Sequence, residues 1–138
     1  ILIQIVIGAF VSGMDAGKIY NSWPLMGNTY FPNDNVVENL FKLSAFSDPS
    51  LVQFIHRNLA YVIGLFYVMM FFKVYKNKLN KLYRSVNILG LLIILQIILG
   101  IFTIILGAHI YIAALHQVSS IFLVTSSIYF FFINTRTS

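Results

Sequence analysis

Three long, mostly apolar stretches dominate the sequence, and each is long enough to cross a lipid bilayer as a helix. They cover residues 51–72, 86–106 and 110–133. A transmembrane helix needs about 20 predominantly apolar residues. Because 59% of the 138 residues are hydrophobic and only 9% are charged, a water-soluble domain of this size has too little interior to bury them. The sequence therefore predicts an integral membrane protein.

A fourth apolar stretch opens the chain but is shorter. It runs from residue 1 to about residue 14 and predicts a span over about residues 1–18 that has lost its first turns. The chain has no initiating Met or basic flank, so a signal peptide is not indicated and a further segment upstream is expected. The predicted fold is all-α: one transmembrane four-helix bundle over residues 1–138, with up-down-up-down topology.

Basic residues cluster between the second and third predicted helices. Under the positive-inside rule, this basic loop of residues 73–84 lies on the cytoplasmic or matrix side of a bacterial or mitochondrial inner membrane. Residues 18–50 and 107–109 then lie on the outer side. The clustering indicates lipid rather than nucleic acid as the partner. The basic residues of the loop are Lys73, Lys76, Lys78, Lys81 and Arg84.

The first outer loop contains the pattern of a short interfacial helix. Asn35 followed by Glu38 resembles a capping box, in which the two side chains bond to backbone amides at a helix start. The residues after Asn35 place apolar side chains on one helical face, as expected of a helix at a membrane surface. These residues are Val36, Val37, Leu40, Phe41 and Ser44.

Two histidines are the best candidates for metal ligands. His56 and His116 lie at similar depths, about 7.5 and 9 Å from the outer ends of the second and fourth predicted helices. These helices are diagonal in the bundle, and a diagonal gap of about 12–14 Å would accept a porphyrin between two imidazoles. The alternative is that each His is a hydrogen-bonded core residue. Two histidines at matched depth favour haem ligation.

Small side chains flank both histidines on their helical faces. They leave room for a flat macrocycle, although they would equally allow tight helix packing. These residues are Ala60 and Gly64 near His56, and Ala113 and Ser120 near His116.

Polar neighbours of the histidines suggest further contacts. Arg57 would pair with a haem propionate or extend to a lipid phosphate. Gln53 and Gln117 would orient an imidazole, bind a propionate or satisfy helix ends. Gln96, in mid-helix, is expected to point into the bundle with no assigned purpose. His109 is expected to be a solvated loop residue, with a role as alternative ligand left open.

Other chemistry is disfavoured. The chain has no cysteine, so metal centres must use nitrogen or oxygen ligands. Asp15 and Lys18 are spaced for a local ion pair. The acids Asp15, Asp34, Glu38 and Asp48 all precede the second span, so no paired-carboxylate hydrolytic site is predicted and no catalytic residue is assigned.

Several short motifs together resemble the C-terminal half of the haem A synthase family, in order and through nearly the whole chain. The segments are Gly8-Ala9-Phe10-Val11-Ser12-Gly13-Met14-Asp15-Ala16-Gly17, Asn21-Ser22-Trp23-Pro24-Leu25-Met26, Gln53-Phe54-Ile55-His56-Arg57 and Leu115-His116-Gln117.

The resemblance implies an oxidoreductase that converts haem O to haem A by successive hydroxylation of a ring methyl group, for cytochrome oxidase assembly. It assigns His56 and His116 as axial ligands of a haem b, with Arg57 and Gln117 as further cofactor-binding residues. Haem O would bind largely through the absent N-terminal half, and haem O synthase or oxidase assembly factors are expected partners.

Two departures from the family refine this prediction. Gln53 stands where the other half of the family carries a Glu, and the outer-loop cysteines of some members are absent. The first indicates a half that holds the cofactor and relays electrons, and the second disfavours a thiol-linked redox step. The alternatives are a diagonal-haem cytochrome b-type electron-transfer subunit, and a non-haem structural or transport module.

Overall fold

The computed structural model describes residues 1–137, with side chains through Arg136, and this part of the chain contains four α-helices. We number them α1 (Leu2–Gly13), α2 (Pro49–Lys76), α3 (Tyr83–Ile105) and α4 (Ile110–Thr137). Within these residues the predicted all-α four-helix fold is confirmed.

Helix α2 begins where its sequence places a strong start signal. The Asp48 side chain accepts a hydrogen bond from the Leu51 amide at 3.0 Å, which satisfies one of the unpaired donors at the helix start. Pro49 occupies the first turn, where its missing N–H does no harm. The helix therefore begins two residues before the predicted span at 51.

Left-handed residues end the first and third helices. Asp15, with φ of 52°, follows α1, and Gly107, with φ of 64°, follows α3. This conformation closes a helix C-terminus by redirecting the chain. Helix α1 consequently ends at Gly13, short of the predicted boundary near residue 18, and a single 3-10 turn, Ala16–Lys18, follows.

The helices associate as two pairs. Helix α1 packs mainly on α2, α3 packs most extensively on α4, and α2 also contacts α3. Buried apolar residues of α3 and α4 form one core cluster, and residues near the connection between α2 and α3 form a second. The first comprises Leu89, Ile93 and Leu123, and the second Val74, Leu82 and Val86.

The outer surface of the bundle is apolar. Helices α2, α3 and α4 are long and apolar enough to cross a membrane, and at 1.5 Å per residue they measure about 35–42 Å. Large side chains such as Leu65, Phe72 and Leu91 are more than 60% exposed, which suits a hydrocarbon environment. The chain is a multi-pass membrane protein. Helix α1 is apolar but spans only 12 residues.

Residues 14–48, which we call the long connection, replace the predicted interfacial helix by two 3-10 segments, Val37–Phe41 and Leu43–Ser47. The capping box is wrong, because the Asn35 amide donates to Asp48 Oδ2 at 3.0 Å and its carbonyl oxygen accepts from Asn39. No side chain caps the first 3-10 segment. The Asn35 side chain instead fastens the connection to the start of α2.

Candidate functional site

The two predicted ligands meet in the structure. His56 on α2 and His116 on α4 have ring centres 6.5 Å apart, with ring planes at 83°. The closeness of the two rings agrees with their expected match in depth. Both side chains are half-buried, and the Nδ1 atom of each is buried without a hydrogen-bond partner. A buried imidazole nitrogen without a partner is unusual and calls for a ligand or a functional reason.

The donor set of this histidine pair fits a haem. A ligating imidazole nitrogen lies about 2 Å from its metal, so two axial imidazoles on opposite faces of one iron place their ring centres about 6 Å apart. The observed separation is close to this value. Among the described residues, no group of three or more His, Cys, Asp or Glu side chains could hold a bare metal ion. A porphyrin would supply the other four nitrogen ligands.

Two glycines that the sequence reasoning did not identify as site residues lie against the imidazole rings. A Cβ atom at Gly8 would lie 3.2 Å from His56 Cε1, and one at Gly100 would lie 3.3 Å from His116 Cε1. Both distances are tighter than ordinary contact. Because neither glycine carries a side chain, each imidazole can lie directly against the neighbouring helix.

Two glutamines contact the same histidines one turn before these glycines. The Gln4 amide donates to the His56 carbonyl at 3.0 Å and lies 3.4 Å from the His56 ring Nε2. The Gln96 amide donates to the His116 carbonyl at 3.2 Å and to Ser119 Oγ at 2.5 Å. Gln96 points into the bundle, as predicted. Gln4 was overlooked, although it precedes Gly8 by four residues, as Gln96 precedes Gly100.

Arg57 is buried and bonds to the protein backbone. Only 7% of its surface is exposed, and its Nη atoms donate to the carbonyls of Tyr20, Ser22 and Leu25 at 2.9–3.3 Å. Its Nε is buried without a partner. Arg57 thus holds the long connection onto α2, and its predicted contact with a propionate remains a prediction.

Gln53 joins Arg57 in holding the long connection. Its side chain is 2% exposed, and its amide donates to the same Tyr20 carbonyl at 3.1 Å. Its Oε1 atom is buried without a partner. On the other diagonal helix, Gln117 is exposed and donates to Ser12 Oγ of α1 at 3.3 Å. Neither glutamine donates to an imidazole.

The long connection folds onto α2 through polar contacts from its tip. The Trp23 indole donates to the Tyr61 hydroxyl at 3.0 Å and the Tyr30 hydroxyl to Asn58 at 2.5 Å. The Asn21 amide donates to the carbonyls of Gly17 and Ile104, which ties this segment to the end of α3. The peptide bond between Trp23 and Pro24 is cis.

The Tyr20 hydroxyl lies within hydrogen-bond distance of Asn33 and Asp34 oxygens. Partial burial, and then the hydrogen bond and charge of Asp34, raise the pKa of Tyr20 above its usual value. The Tyr20 hydroxyl acts as a donor within the long connection.

Other candidate residues lie apart from the histidine pair. His109 is exposed in the short link before α4, where its ring lies near Tyr111. Asp15 and Lys18 form the predicted ion pair at 2.8 Å, and both are exposed. A Cβ at Gly64 would have no neighbour within 4 Å, so this glycine is not packed against an imidazole.

The sequence profile of the cytochrome oxidase assembly protein family matches residues 1–128 of the chain. A haem A synthase of Pelagibacter ubique is 42% identical over 126 residues, which cover 91% of this chain and 37% of that protein. One from Rickettsia felis is 38% identical over 133 residues, covering 96% of this chain and 39% of that protein. One from Wolbachia pipientis is 43% identical over 130 residues, covering 94% and 35%.

The chain thus spans somewhat more than a third of the length of these curated relatives. No solved structure matches it. The family match covers α1, the long connection, α2, α3 and α4 as far as residue 128, so it includes both histidines. The chain belongs to the cytochrome oxidase assembly protein family, to which its relationship with haem A synthases also points.

Proposed function

We propose that this chain is the haem-bearing part of a haem A synthase, with His56 and His116 as the two axial ligands of a haem b. The observation that carries the proposal is the imidazole pair of α2 and α4, with ring centres 6.5 Å apart and both Nδ1 atoms buried without partners. The whole enzyme would convert haem O to haem A by successive hydroxylation of a ring methyl group.

Two imidazole ligands favour electron relay in this part of the enzyme. A haem whose two axial positions are filled by histidine supplies one-electron transfer and leaves no open position for oxygen. The surrounding residues support this role, because the His pair contacts glycines and glutamine amides and no carboxylate. Half-burial of both imidazoles in an apolar bundle limits the access of water to the ligands.

Oxidation of haem O would take place in the remainder of the enzyme. All four acidic residues lie in the long connection or at its end, and Gln53 contacts a backbone carbonyl. Among the described residues no carboxylate forms a hydrogen bond or ion pair with either histidine, so none is proposed to assist proton removal there. Arg57 and Gln117 are retained as cofactor-binding candidates. Haem O synthase and other oxidase assembly factors are the proposed protein partners.

The proposed location is a bacterial or mitochondrial inner membrane. The five basic residues of the 73–84 loop are exposed around the connection between α2 and α3, which supports a cytoplasmic or matrix position under the positive-inside rule. The histidines would then lie toward the opposite side.

Single replacement of the histidines tests the ligand assignment. His56→Ala and His116→Ala should each abolish the low-spin bis-histidine spectrum of the purified protein in lipid nanodiscs, because loss of one axial ligand changes the spin state of the iron. His109→Ala is the matched control, since this third histidine is exposed in the link before α4. Unchanged low-spin bands in both test variants would refute the assignment.

A cytochrome b-type electron-transfer subunit would share the same histidine pair. Conversion of haem O to haem A by cells that express the complete gene separates the two functions. Haem A formation that is lost in His56→Ala and His116→Ala supports the synthase. Intact haem b without any haem A formation would favour the cytochrome subunit.

A further inference from the structure

The four helices contain a repeat of one two-helix unit. Residues 1–13 align without a gap with residues 93–105, so that α1 corresponds to α3, and each of these helices is followed by a histidine-bearing helix, α2 or α4. The aligned apolar residues are mostly conservative replacements. The identical residues are Ile1, Gln4, Ile5, Gly8 and Phe10 in the first copy, and Ile93, Gln96, Ile97, Gly100 and Phe102 in the second.

The correspondence extends to the backbone at the helix ends. The Met14 amide donates to the Phe10 carbonyl and the Leu106 amide to the Phe102 carbonyl, both at 3.0 Å. One residue later, Asp15 and Gly107 both adopt the left-handed conformation. Equivalent positions thus end both helices in the same way.

Equivalent residues in the two units make equivalent contacts with the histidine of the partner helix. Gln4 and Gln96 each donate to the backbone carbonyl of that histidine, at 3.0 and 3.2 Å. Gly8 and Gly100 each face the Cε1 edge of its imidazole, with nearly the same clearance. The contacts recur although the connection between the helices has 35 residues in one unit and four in the other, residues 14–48 and 106–109.

We propose that these four residues are positioning residues for the haem ligands, and that each helical pair is one ligand-holding unit. The inference rests on the proposed function and adds the residues that fix the two imidazoles. The glutamine fastens the backbone of the histidine to the preceding helix, and the glycine defines the space in which the ring turns.

The membrane setting strengthens this role physically. A side-chain amide that bonds across two helices in an apolar environment has no water to compete for its acceptor. A helical glycine lets the neighbouring side chain approach the backbone closely. Replacement of residues that contact metal ligands and orient them commonly changes metal affinity by about 10- to 100-fold. The ring planes at 83° are the geometric quantity that this arrangement would maintain.

Glycine replacements provide the first test. Gly8→Ala and Gly100→Ala place a methyl group 3.2–3.3 Å from an imidazole Cε1, so the ring must shift by a few tenths of an ångström. The g values of the oxidised low-spin haem, which depend on the angle between the axial imidazole planes, should shift in both variants. Transfer of haem to excess apomyoglobin should become about 10-fold faster. Gly13→Ala, the same change at the end of α1 where the methyl group meets nothing within 4 Å, should match the wild type.

Glutamine replacements provide a second test that introduces no steric overlap. Gln4→Leu and Gln96→Leu should shift the g values and the midpoint potential of the haem, because the histidine backbone is no longer fastened. Thr103→Val is the control, since the Thr103 hydroxyl bonds within α3 to the Leu99 carbonyl. The glutamine variants decide the question if an alanine variant does not accumulate.

The outcomes separate the inference from the proposed function. Spectra and haem transfer rates in the glycine and glutamine variants that equal those of Gly13→Ala and Thr103→Val would overturn the positioning role while leaving bis-histidine haem intact. A wild-type protein without low-spin haem would instead overturn the proposed function. Changed spectra in the four positioning variants, with both controls unaltered, would support both.

Discussion

The helical pairs α1–α2 and α3–α4 position their histidines in the same way. They differ in the burial and hydrogen bonding of the residue that follows each histidine. In the first pair, Arg57 is buried and bonds to three carbonyls of the long connection. In the second, Gln117 is exposed and makes one long hydrogen bond to Ser12. Both pairs thus share the contacts that position the imidazoles. The polar contacts of the next residue differ, because only the first pair has a long connection for that residue to bind.

The difference shows which contacts belong to the site and which belong to the connection. A 35-residue connection has many backbone carbonyls, and those that pack against α2 need donors from that helix; Arg57 and Gln53 supply them to three carbonyls. The four-residue link is closed by backbone hydrogen bonds to the last turn of α3, because the Gly107 and Ala108 amides donate to carbonyls of that turn. Replacements in the two pairs should therefore have unequal effects even at equivalent positions.

The largest effect is expected from Arg57→Gln. This replacement leaves three carbonyls of the long connection without their charged donor, and hydrogen bonds to charged groups contribute about 1.5–3 kcal/mol each. The free energy of unfolding in detergent should fall by about 3 kcal/mol or more, and the long connection should become sensitive to protease. Arg84→Gln, an exposed position at the start of α3, serves as control. Equal stability of the two variants would remove the distinction between the pairs.

A smaller effect is expected where the two pairs meet. The Tyr67 hydroxyl of α2 donates to the Val86 carbonyl of α3 at 3.2 Å, and a methyl group at Gly90 would overlap the Tyr67 hydroxyl and ring. Gly90→Ala should overpack this contact and lower the free energy of unfolding by about 1–3 kcal/mol. The measurement is the thermal unfolding midpoint, which should fall. The combined variant Gly90→Ala with Tyr67→Leu should recover part of the loss. An unchanged midpoint in Gly90→Ala would show that the pairs do not pack here as described.

A still smaller effect is expected from Ser119→Ala in the second pair. Ser119 accepts from Gln96 and donates to the His116 carbonyl at 3.1 Å, whereas the equivalent position in the first pair is Leu59. The free energy of unfolding should fall by about 1 kcal/mol. Ser120→Ala, which loses only a bond to the Gln117 carbonyl, gives the comparison. A loss in Ser120→Ala as large as in Ser119→Ala would indicate that Ser119 has no special link to Gln96.

The smallest effect is expected from Gln117→Ala. Its side chain is exposed and its bond to Ser12 measures 3.3 Å, so the free energy of unfolding should change by no more than about 0.5 kcal/mol. Chemical denaturation in detergent is the measurement, with Arg57→Gln as the contrasting variant. A change of several kcal/mol would show that the second pair depends on this position as strongly as the first.

Much of the fold could be predicted because membrane helices leave a strong local signal. The apolar stretches at 51–72, 86–106 and 110–133 correspond to α2, α3 and α4, although the structure extends the second and fourth helices beyond the stretches. The errors occurred in the long connection, where Asn35 and Glu38 match a capping box by spacing alone. There the Asp48 carboxylate competes successfully for the Asn35 amide.

The candidate site was predicted in part. The pairing of His56 and His116 followed from matched depth on two helices, and the structure places their ring centres 6.5 Å apart. The seating of these rings by Gly8 and Gly100 was not recognised, because a glycine in an apolar helix has the same appearance whether it faces an imidazole or lipid. Comparison of α1 with α3 would have revealed it, since both copies keep a Gln four residues before the Gly.

By itself, the sequence determined that this is a membrane helical protein with two histidines at one depth, because hydrophobic length and helical rise are local properties. Only the tertiary structure decided that Arg57 and Gln53 bind the long connection and that Gln4 and Gln96 fasten the two histidines. Every residue offers a backbone carbonyl, so the acceptor that a buried donor finds depends on how the helices are rotated and how the connection folds. That rotation is set by packing over the whole bundle.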